Sequence, residues 1–316
     1  RMVEVDMMGN TIHNWDMLER GYTMHHAISQ DKQGNILATV SKTSAKIANG
    51  KDVRINDFII MMDPEKGEIL QEWDLVHMLD SARYGMTDYD LTSDPFAQSA
   101  SNWAHNNGIV EWGDDYLATA RYQGIFKFNK AGGIEWIISP HGYWRDKYLK
   151  LLLNPLHADG TPITDPEVIA GTKNCDDFEW PWGCHTAVPL PNGHILYFNN
   201  GYGRNFKLDF TDRKNIYTCG IEYEVDEVNR TVRQVWQYGK ERGAAYFTPA
   251  RSGVQYLEQT GNRLICPGMS NVLSNGNRGA RVTEVDPETQ DVVFELELED
   301  AIYQRVYRMS LYPENQ

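Results

Sequence analysis

Apolar and polar residues alternate in short runs along the chain, a pattern typical of antiparallel β-strands. One recurrent unit is an apolar strand that ends in Asp or Asn, followed by a turn and a second strand that often contains Trp. The turns contain Asp-Pro, Gly-Asn and similar residues, which suit tight antiparallel connections. Five such hairpins are predicted: "VEVDMMGNTIHNW", "IIMMDPEKGEILQEW", "IFKFNKAGGIEWI", "IEYEVDEVNRTVRQVW" and "VTEVDPETQDVVFELEL".

A second unit, two short strands joined by a turn, precedes four of these hairpins. From its first residue to its closing Leu the spacing is eleven residues in two copies and twelve in the other two. The two units together make four strands, which is one blade of a β-propeller. The chain is therefore predicted to be all-β, a propeller of four-stranded blades. The four copies are "HAISQDKQGNIL" from His26, "HNNGIVEWGDDYL" from His105, "HTAVPLPNGHIL" from His185 and "SGVQYLEQTGNRL" from Ser252.

We assign residues 1–316 to one propeller domain with four whole blades. A leading hairpin at 2–17 and a trailing strand at 304–313 are left over, and a closed ring needs at least a fifth blade. The chain opens within a strand-like pattern without an initiator Met, so we expect an N-terminal portion to be missing. The blades are predicted to begin near residues 23, 103, 184 and 251.

Two insertions interrupt the repeats, at 81–102 and 141–183. The second contains a helical pattern, "YWRDKYLKLLL", at 143–153. Insertions of this length in a compact domain are usually functional covers or partner surfaces, although decoration without a role is the alternative.

Three histidines, His26, His105 and His185, fall at one equivalent position when the repeats are aligned. The first strand of each propeller blade lines the central channel, so we expect the three rings to converge there. His25 is adjacent to His26 and should point to the opposite face of its strand, which indicates a structural role. Surface or packing roles are the default for the remaining histidines: His13, His77, His141, His157 and His194.

Two arginines, Arg121 and Arg204, end the second strand of a blade or follow it closely. An arginine there can hold a tetrahedral oxyanion through paired N–H donors, or it can pair with one of the many carboxylates. The histidines alone permit a three-histidine metal site with an open water position. They also permit attack by a neutral imidazole while cations stabilise a transferring anionic group. The arginines favour the second chemistry, because a cation is a poor neighbour for a bound dication.

The net charge limits the classes of molecule that the protein is expected to bind. A formal charge of −14 and a pI near 5.1 argue against nucleic acid, which attracts basic grooves. No window reaches the apolar length of a membrane span, and the first ten residues have no signal-peptide core.

Cys219 and Cys266 lie in apolar strands, where buried thiols are expected. Cys175 and Cys184 are close enough in sequence to close a small disulfide loop.

The segments "SNWAHNNGIVE", "WPWGCHTAVPLPNGHILYFNNGYGR" and "VWQYGKERGAAYFTPARSGVQYL" resemble the bacterial arylsulfate sulfotransferases. The resemblance implies a six-bladed propeller, a periplasmic location and a homodimer. It also implies sulfuryl transfer from an aryl sulfate to a phenol by a ping-pong route, with no nucleotide donor and no cofactor. Members of the family have a longer N-terminal portion, and they carry a disulfide upstream of the nucleophile, near Cys175.

By this resemblance His185 is the nucleophile and becomes transiently sulfated. His105 would act as the general acid and base, and His26 and Arg121 would hold the sulfuryl oxygens. The two tryptophans before His185 would wall an aromatic pocket. Substrate-binding roles are expected for Asn107, Tyr307, Arg204 and Ser252. Two alternatives stay open at this point: a metal-dependent hydrolase and a non-catalytic ligand-binding propeller.

Overall fold

A computed structural model describes residues 1–42, 56–83, 103–208, 211, 213–269, 273 and 275–300. The chain divides into two compact units, Arg1–Leu153 and Asn154–Gln316. In the described part of the chain, no helix combines the length and the apolar character needed to cross a membrane.

The first unit contains a hairpin and two four-stranded antiparallel sheets. Their strand orders are β1-β2, β3-β4-β5-β6 and β7-β8-β9-β10, so each sheet follows the chain as a propeller blade does. The strands are β1 (Met2–Val5), β2 (Thr11–Trp15), β3 (Thr23–Gln30), β4 (Ile36–Lys42), β5 (Asn56–Met62), β6 (Ile69–Asp74), β7 (Asn106–Trp112), β8 (Asp115–Ala120), β9 (Gly124–Phe128) and β10 (Ile134–Ile138), with helices α1 (Leu75–Met78) and α2 (Asp146–Leu149).

The second unit contains two further blades, in the orders β12-β13-β14-β15 and β16-β17-β18-β19, and the short β11 adds in parallel to the outer β15. Single-turn 3-10 helices lie at Arg204–Phe206, Arg213–Asn215 and Lys240–Arg242. The strands are β11 (Asn154–Leu156), β12 (His185–Pro189), β13 (Ile195–Asn199), β14 (Cys219–Asp226), β15 (Thr231–Tyr238), β16 (Ser252–Tyr256), β17 (Arg263–Pro267), β18 (Gly279–Val285) and β19 (Val292–Glu299), with helices α3 (Pro166–Ala170) and α4 (Gly243–Tyr246).

These elements confirm the predicted fold class, the five hairpins and the four-stranded blades. The blades start at Thr23, Asn106, His185 and Ser252, close to the expected positions. The trailing strand at 304–313 and most of the insertion at 81–102 lie outside the described residues.

Within each unit, residues of the inner strands pack between the two blades, as alternation of side chains along a strand allows. In the first unit the side chains of Leu37 and Ile59 share one buried cluster with Ala118 and Phe126. In the second unit Leu196, Phe198, Val254 and Ile265 form the corresponding layer. This packing holds the innermost strands, which carry the candidate site residues, in fixed positions.

The helix predicted over 143–153 is largely absent, since only one turn, Asp146–Leu149, is helical. The next residues pair with the outer edge of β10 instead. The backbone N–H of Ile137 donates to the carbonyl of Leu151 (2.8 Å), and the N–H of Leu153 donates to the carbonyl of Ile137 (3.0 Å). An unpaired strand edge therefore competes successfully with continuation of the helix.

Candidate active site

Strand register defines which residues are equivalent in the four blades. In each blade the closing Leu of the second strand pairs with one residue of the first: Ser29 with Leu37, Val110 with Leu117, Val188 with Leu196 and Gln255 with Leu264. Three residues before these partners lie His26, Asn107, His185 and Ser252. All four were candidate site residues. Bulges interrupt the first strand at or near His26, Asn107 and His185, so these residues do not share one pairing level with Ser252, which pairs with Pro267.

His105 lies five residues before Val110, the partner of Leu117, whereas His26 and His185 lie three residues before the corresponding partners. In the second blade Trp112 pairs with Asp115, which leaves a two-residue turn. Bulges interrupt the pairing close to each of the three histidines, and His26 and His105 share a positive φ, +52° and +53°. The equivalence of the three histidines therefore stays a prediction.

His25 and His26 point to the same side of β3, contrary to the expected alternation. Regular pairing is interrupted between Met24 and Ile28, and His26 has a φ of +52°, in the left-handed region that non-glycine residues rarely adopt. Thr39 bridges the bulge, because its hydroxyl accepts from the N–H of Ala27 (3.0 Å) and donates to the carbonyl of His25. The bulge brings Nδ1 of His25 within 3.0 Å of Nδ1 of His26.

His26 also contacts His105, with 3.1 Å between their Nε2 atoms and 4.7 Å between their ring centroids. A neutral imidazole donates with one nitrogen and accepts with the other. His26 uses both of its nitrogens in this way, toward His25 and toward His105. The three rings therefore form a chain along which a proton can pass.

A buried carboxylate, Asp57, lies at the other end of the histidine chain. Its side chain is 3% exposed, and one oxygen is 3.5 Å from Nε2 of His25. The second oxygen accepts from the backbone N–H of Asn106 at 2.8 Å. Burial raises the pKa of Asp57, while the charge of His25 and the N–H of Asn106 oppose that rise. Asp57 thus lies at ion-pair distance from His25 and holds the backbone of Asn106, the residue that follows His105.

Arg121 and Asn107 lie beside this chain. The N–H of Arg121 donates to the carbonyl of His105 (3.0 Å), and the buried guanidinium lies 5.7 Å from the ring centroid of Tyr122. The Asn107 side-chain oxygen accepts from the Thr119 hydroxyl (2.7 Å), which orients its amide. The first unit therefore places the rings of His26 and His105 in contact, with the backbone of Arg121 bonded to that of His105 and the amide of Asn107 held by Thr119.

His185 is buried at the start of β12, and its ring is fixed by two oxygen acceptors. Nδ1 lies 2.6 Å from Oδ1 of Asn200 and 3.2 Å from the carbonyl of Gly183. The amide of Asn200 is oriented in turn, because its Nδ2 donates to the carbonyl of Thr248 (2.9 Å). Both neighbours of Nδ1 are acceptors, so Nδ1 carries the proton and Nε2 carries the lone pair.

The adjacent Asn199 holds the segment before His185. Its side-chain oxygen accepts from the N–H of Trp182 (3.0 Å), and its Nδ2 donates to the carbonyl of Trp180 (2.9 Å). Both tryptophan rings are buried. Trp180 donates to the carbonyl of Val168, and Trp182 packs edge-on against Phe206. Sequence analysis missed both asparagines, although "NNG" directly after a strand is the signal that marks them.

Ser252 shares the acceptor that orients His185, since its hydroxyl donates to Oδ1 of Asn200 at 3.2 Å. Arg204 has a different environment. It is 5% exposed, forms an ion pair with Glu179 and lies 4.0 Å from the ring centroid of Tyr217. Burial alone would lower the pKa of Arg204, but Glu179 raises it overall. The geometry therefore matches the salt-bridge alternative for this arginine.

The structure does not contain the Cys175–Cys184 disulfide considered above: all four cysteines lie within the described residues, and each is a free thiol. Cys184 is buried immediately before β12, whereas the part-exposed Cys175 donates from Sγ to Asp177 at 3.1 Å. Cys219 and Cys266 are buried in strands as expected. Tyr307 lies outside the described residues.

Comparison with known proteins identifies the family of the chain. Residues 1–308 match the arylsulfotransferase (ASST) family. The chain is 29% identical to arylsulfate sulfotransferase AssT of Escherichia coli O6:H1 and 30% identical to that of Lelliottia amnigena, in each case over 98% of this chain and 56% of the relative. It thus spans about half the length of these curated relatives. A europium-containing methanol dehydrogenase is similar at a TM-score of 0.43 and 13% identity, over 89% of this chain and 47% of that one. The chain belongs to the arylsulfotransferase (ASST) family.

Proposed function

We propose that this protein is an arylsulfate sulfotransferase that moves a sulfuryl group from an aryl sulfate to a phenol through His185. Family membership and the names of the curated relatives support the reaction class. The observation that carries the proposal is the fixed tautomer of His185, whose Nδ1 faces Asn200 and Gly183. In that tautomer Nε2 is the nucleophilic nitrogen of the neutral imidazole.

In the first half-reaction, the Nε2 lone pair attacks sulfur. The N–S bond forms as the bond between sulfur and the aryl oxygen breaks, and the phenolate leaves with both electrons. The sulfated ring is cationic, and its Nδ1–H points at the oxygens of Asn200 and Gly183, which stabilise the positive charge. In the second half-reaction a phenol loses its proton, its oxygen attacks sulfur, and the N–S bond breaks to restore neutral His185.

Proton transfer is assigned to His105, supported by its contact with His26. It would protonate the departing phenolate and later take the proton of the acceptor. Sulfuryl transfer should resemble phosphoryl transfer, in which charge develops on the non-bridging oxygens. Arg121 and His26 would stabilise that charge, and Asn107 and Tyr307 would contact substrate. For Ser252 and Arg204 the observed contacts support positioning roles, through Asn200 and Glu179 respectively.

We also propose a periplasmic location and a homodimer, on the strength of the family resemblance alone. The natural donor and acceptor are specified only as an aryl sulfate and a phenol.

The test compares wild-type protein with His185→Asn, which keeps a polar side chain of similar reach. Release of nitrophenol from nitrophenyl sulfate, with phenol as acceptor, should fall to background in the variant while its circular dichroism spectrum is unchanged. Retained transfer in His185→Asn would exclude His185 as the nucleophile. Release of nitrophenol that needs no phenol acceptor and that is lost on chelation would instead favour a metal-dependent hydrolase.

A further inference from the structure

A cluster of three different ligand types lies in the insertion at 141–183, and the proposed reaction uses none of it. It consists of His157, Cys175 and Asp177, each part-buried, with one ligand atom from each lying within 4.8 Å of the other two. Nδ1 of His157 is 3.0 Å from Oδ1 of Asp177, and Sγ of Cys175 is 3.1 Å from the same oxygen. We call this group the 157–177 cluster.

Imidazole nitrogen, thiolate sulfur and carboxylate oxygen are the three ligand types that zinc takes from proteins. Zinc binds them at roughly 2.0 to 2.3 Å, so tetrahedral ligand atoms lie roughly 3.3 to 3.7 Å apart. The measured separations from the Asp177 oxygen to His157 and to Cys175 are only slightly shorter. Small side-chain rotations would therefore open the cluster to the size of such an ion.

The backbone around the cluster is already held in place. The N–H of Ala158 donates to Oδ2 of Asp177 (2.9 Å), and Arg233 donates to the carbonyl of Ala158 (3.0 Å). The N–H of His157 donates to the carbonyl of Thr161 (2.8 Å). These bonds connect the turn after β11 to the segment of Asp177 and to β15, so the ligands are preorganised rather than carried on independent loops.

Charge also suits a dication. With a neutral imidazole, a thiolate and a carboxylate, the ligands carry two negative charges. Binding breaks the S–H bond of Cys175, forms a metal–sulfur bond and releases one proton to solvent.

We propose that the 157–177 cluster is a binding site for a divalent transition-metal ion, best matched by zinc, with water completing the coordination. The ion would cross-link His157 to Cys175 and Asp177 and so restrict the segment that leads to His185. A cross-link of this kind stabilises by restricting the unfolded chain. The proposal is independent of the sulfotransferase activity.

Cobalt(II) is the probe, because a cobalt–thiolate bond gives a charge-transfer absorption in the near ultraviolet. The metal-free full protein should bind one equivalent with this band, and zinc should displace it. Cys175→Ser should abolish the band, and His157→Gln and Asp177→Asn should each weaken binding roughly 100-fold, as each removes one of three ligands. His77→Gln, which removes an exposed histidine outside the cluster, is the matched control and should bind like wild type.

A second readout follows the thiol itself. Cys175 is the one cysteine of the four, all described, that is not buried, so it should react with an alkylating reagent in the metal-free protein and be protected by zinc. Absence of the cobalt band, its persistence in Cys175→Ser, or equal binding by the cluster variants and His77→Gln would overturn the proposal.

Discussion

The Nδ1 atom of His185 lies 2.6 Å from Oδ1 of Asn200, and this contact determines which ring nitrogen carries the lone pair. Asn200 can hold no other orientation without losing the bond from its Nδ2 to the carbonyl of Thr248. The asparagine therefore acts on the reaction through the histidine, as a positioning residue.

Asn200→Ala should lower kcat for sulfuryl transfer by roughly 10- to 100-fold, because the attacking tautomer loses its main acceptor while the carbonyl of Gly183 remains. Steady-state kinetics with nitrophenyl sulfate measure the effect. Ser252→Ala is the matched control, since it removes a hydroxyl from the same oxygen but leaves the contact with His185. An equal loss in both variants would contradict the positioning role of Asn200.

His105→Gln should slow transfer by roughly 10²- to 10⁴-fold for donors whose leaving phenol is strongly basic, because such phenolates need protonation as they depart. Nitrophenyl sulfate, with a stable phenolate, should be affected much less in its first half-reaction. The measurement is kcat/KM over a series of donors that differ in phenol pKa. Equal losses across the series would exclude His105 as the general acid.

Asp57→Asn should lower kcat/KM by up to roughly 10²-fold without abolishing transfer, because displacement of a positioned group weakens catalysis. Asp57 lies 3.5 Å from Nε2 of His25 and accepts from the N–H of Asn106, the residue after His105. Steady-state kinetics with nitrophenyl sulfate measure the effect. Glu258→Gln, at an exposed site, is the control. Equal kcat/KM in both variants would show that Asp57 does not position the histidines.

Glu222 should make stability depend on pH. Burial opposes its ionisation, but hydrogen bonds from Arg263 (2.6 Å) and His194 lower its pKa below 4.5 overall. A depressed carboxyl pKa stabilises the fold above the unfolded value, and that stability is lost as pH falls through the folded value. Glu222→Gln should therefore lower the urea midpoint at pH 7, with a smaller difference at pH 4. A difference that grows on acidification would contradict this sign.

Arg204→Gln should destabilise the protein by about 3 to 5 kcal/mol, because it leaves the buried Glu179 carboxylate without its arginine partner. KM for the donor should change little in the folded fraction. Urea unfolding and donor kinetics together separate the two roles. A raised KM with unchanged stability would contradict the structural role and support a substrate-binding role for Arg204.

Repeats were predictable from sequence because apolar strands and turn residues recur at similar spacings, and residues such as Leu37 and Ile59 are buried between blades. The contact between His26 and His105 could not be derived from spacing, because bulges interrupt both first strands and the turns differ in length. The direction of the His25 side chain was not predicted correctly, because the strand contains a bulge at His26, where φ is positive. Residue spacing does not reveal such a bulge.

Residues that act through pairing across strands were harder to predict. Asn200 lies 15 residues after His185, and its role depends on how the chain folds back after β13. Similarly, the pairing of Leu151 and Leu153 with the edge of β10 overrides a local helical pattern. In both cases the deciding partner is distant in sequence, so local periodicity carries no information about it.

Sulfation of His185 is tested most directly by incubating the protein with an aryl sulfate in the absence of a phenol and mapping the modified peptide without acid treatment. We expect one added SO₃ group, on His185, which disappears when phenol is added and never forms in His185→Asn. An unmodified protein that still turns over, or a stable SO₃ group on another residue such as His105, would contradict it.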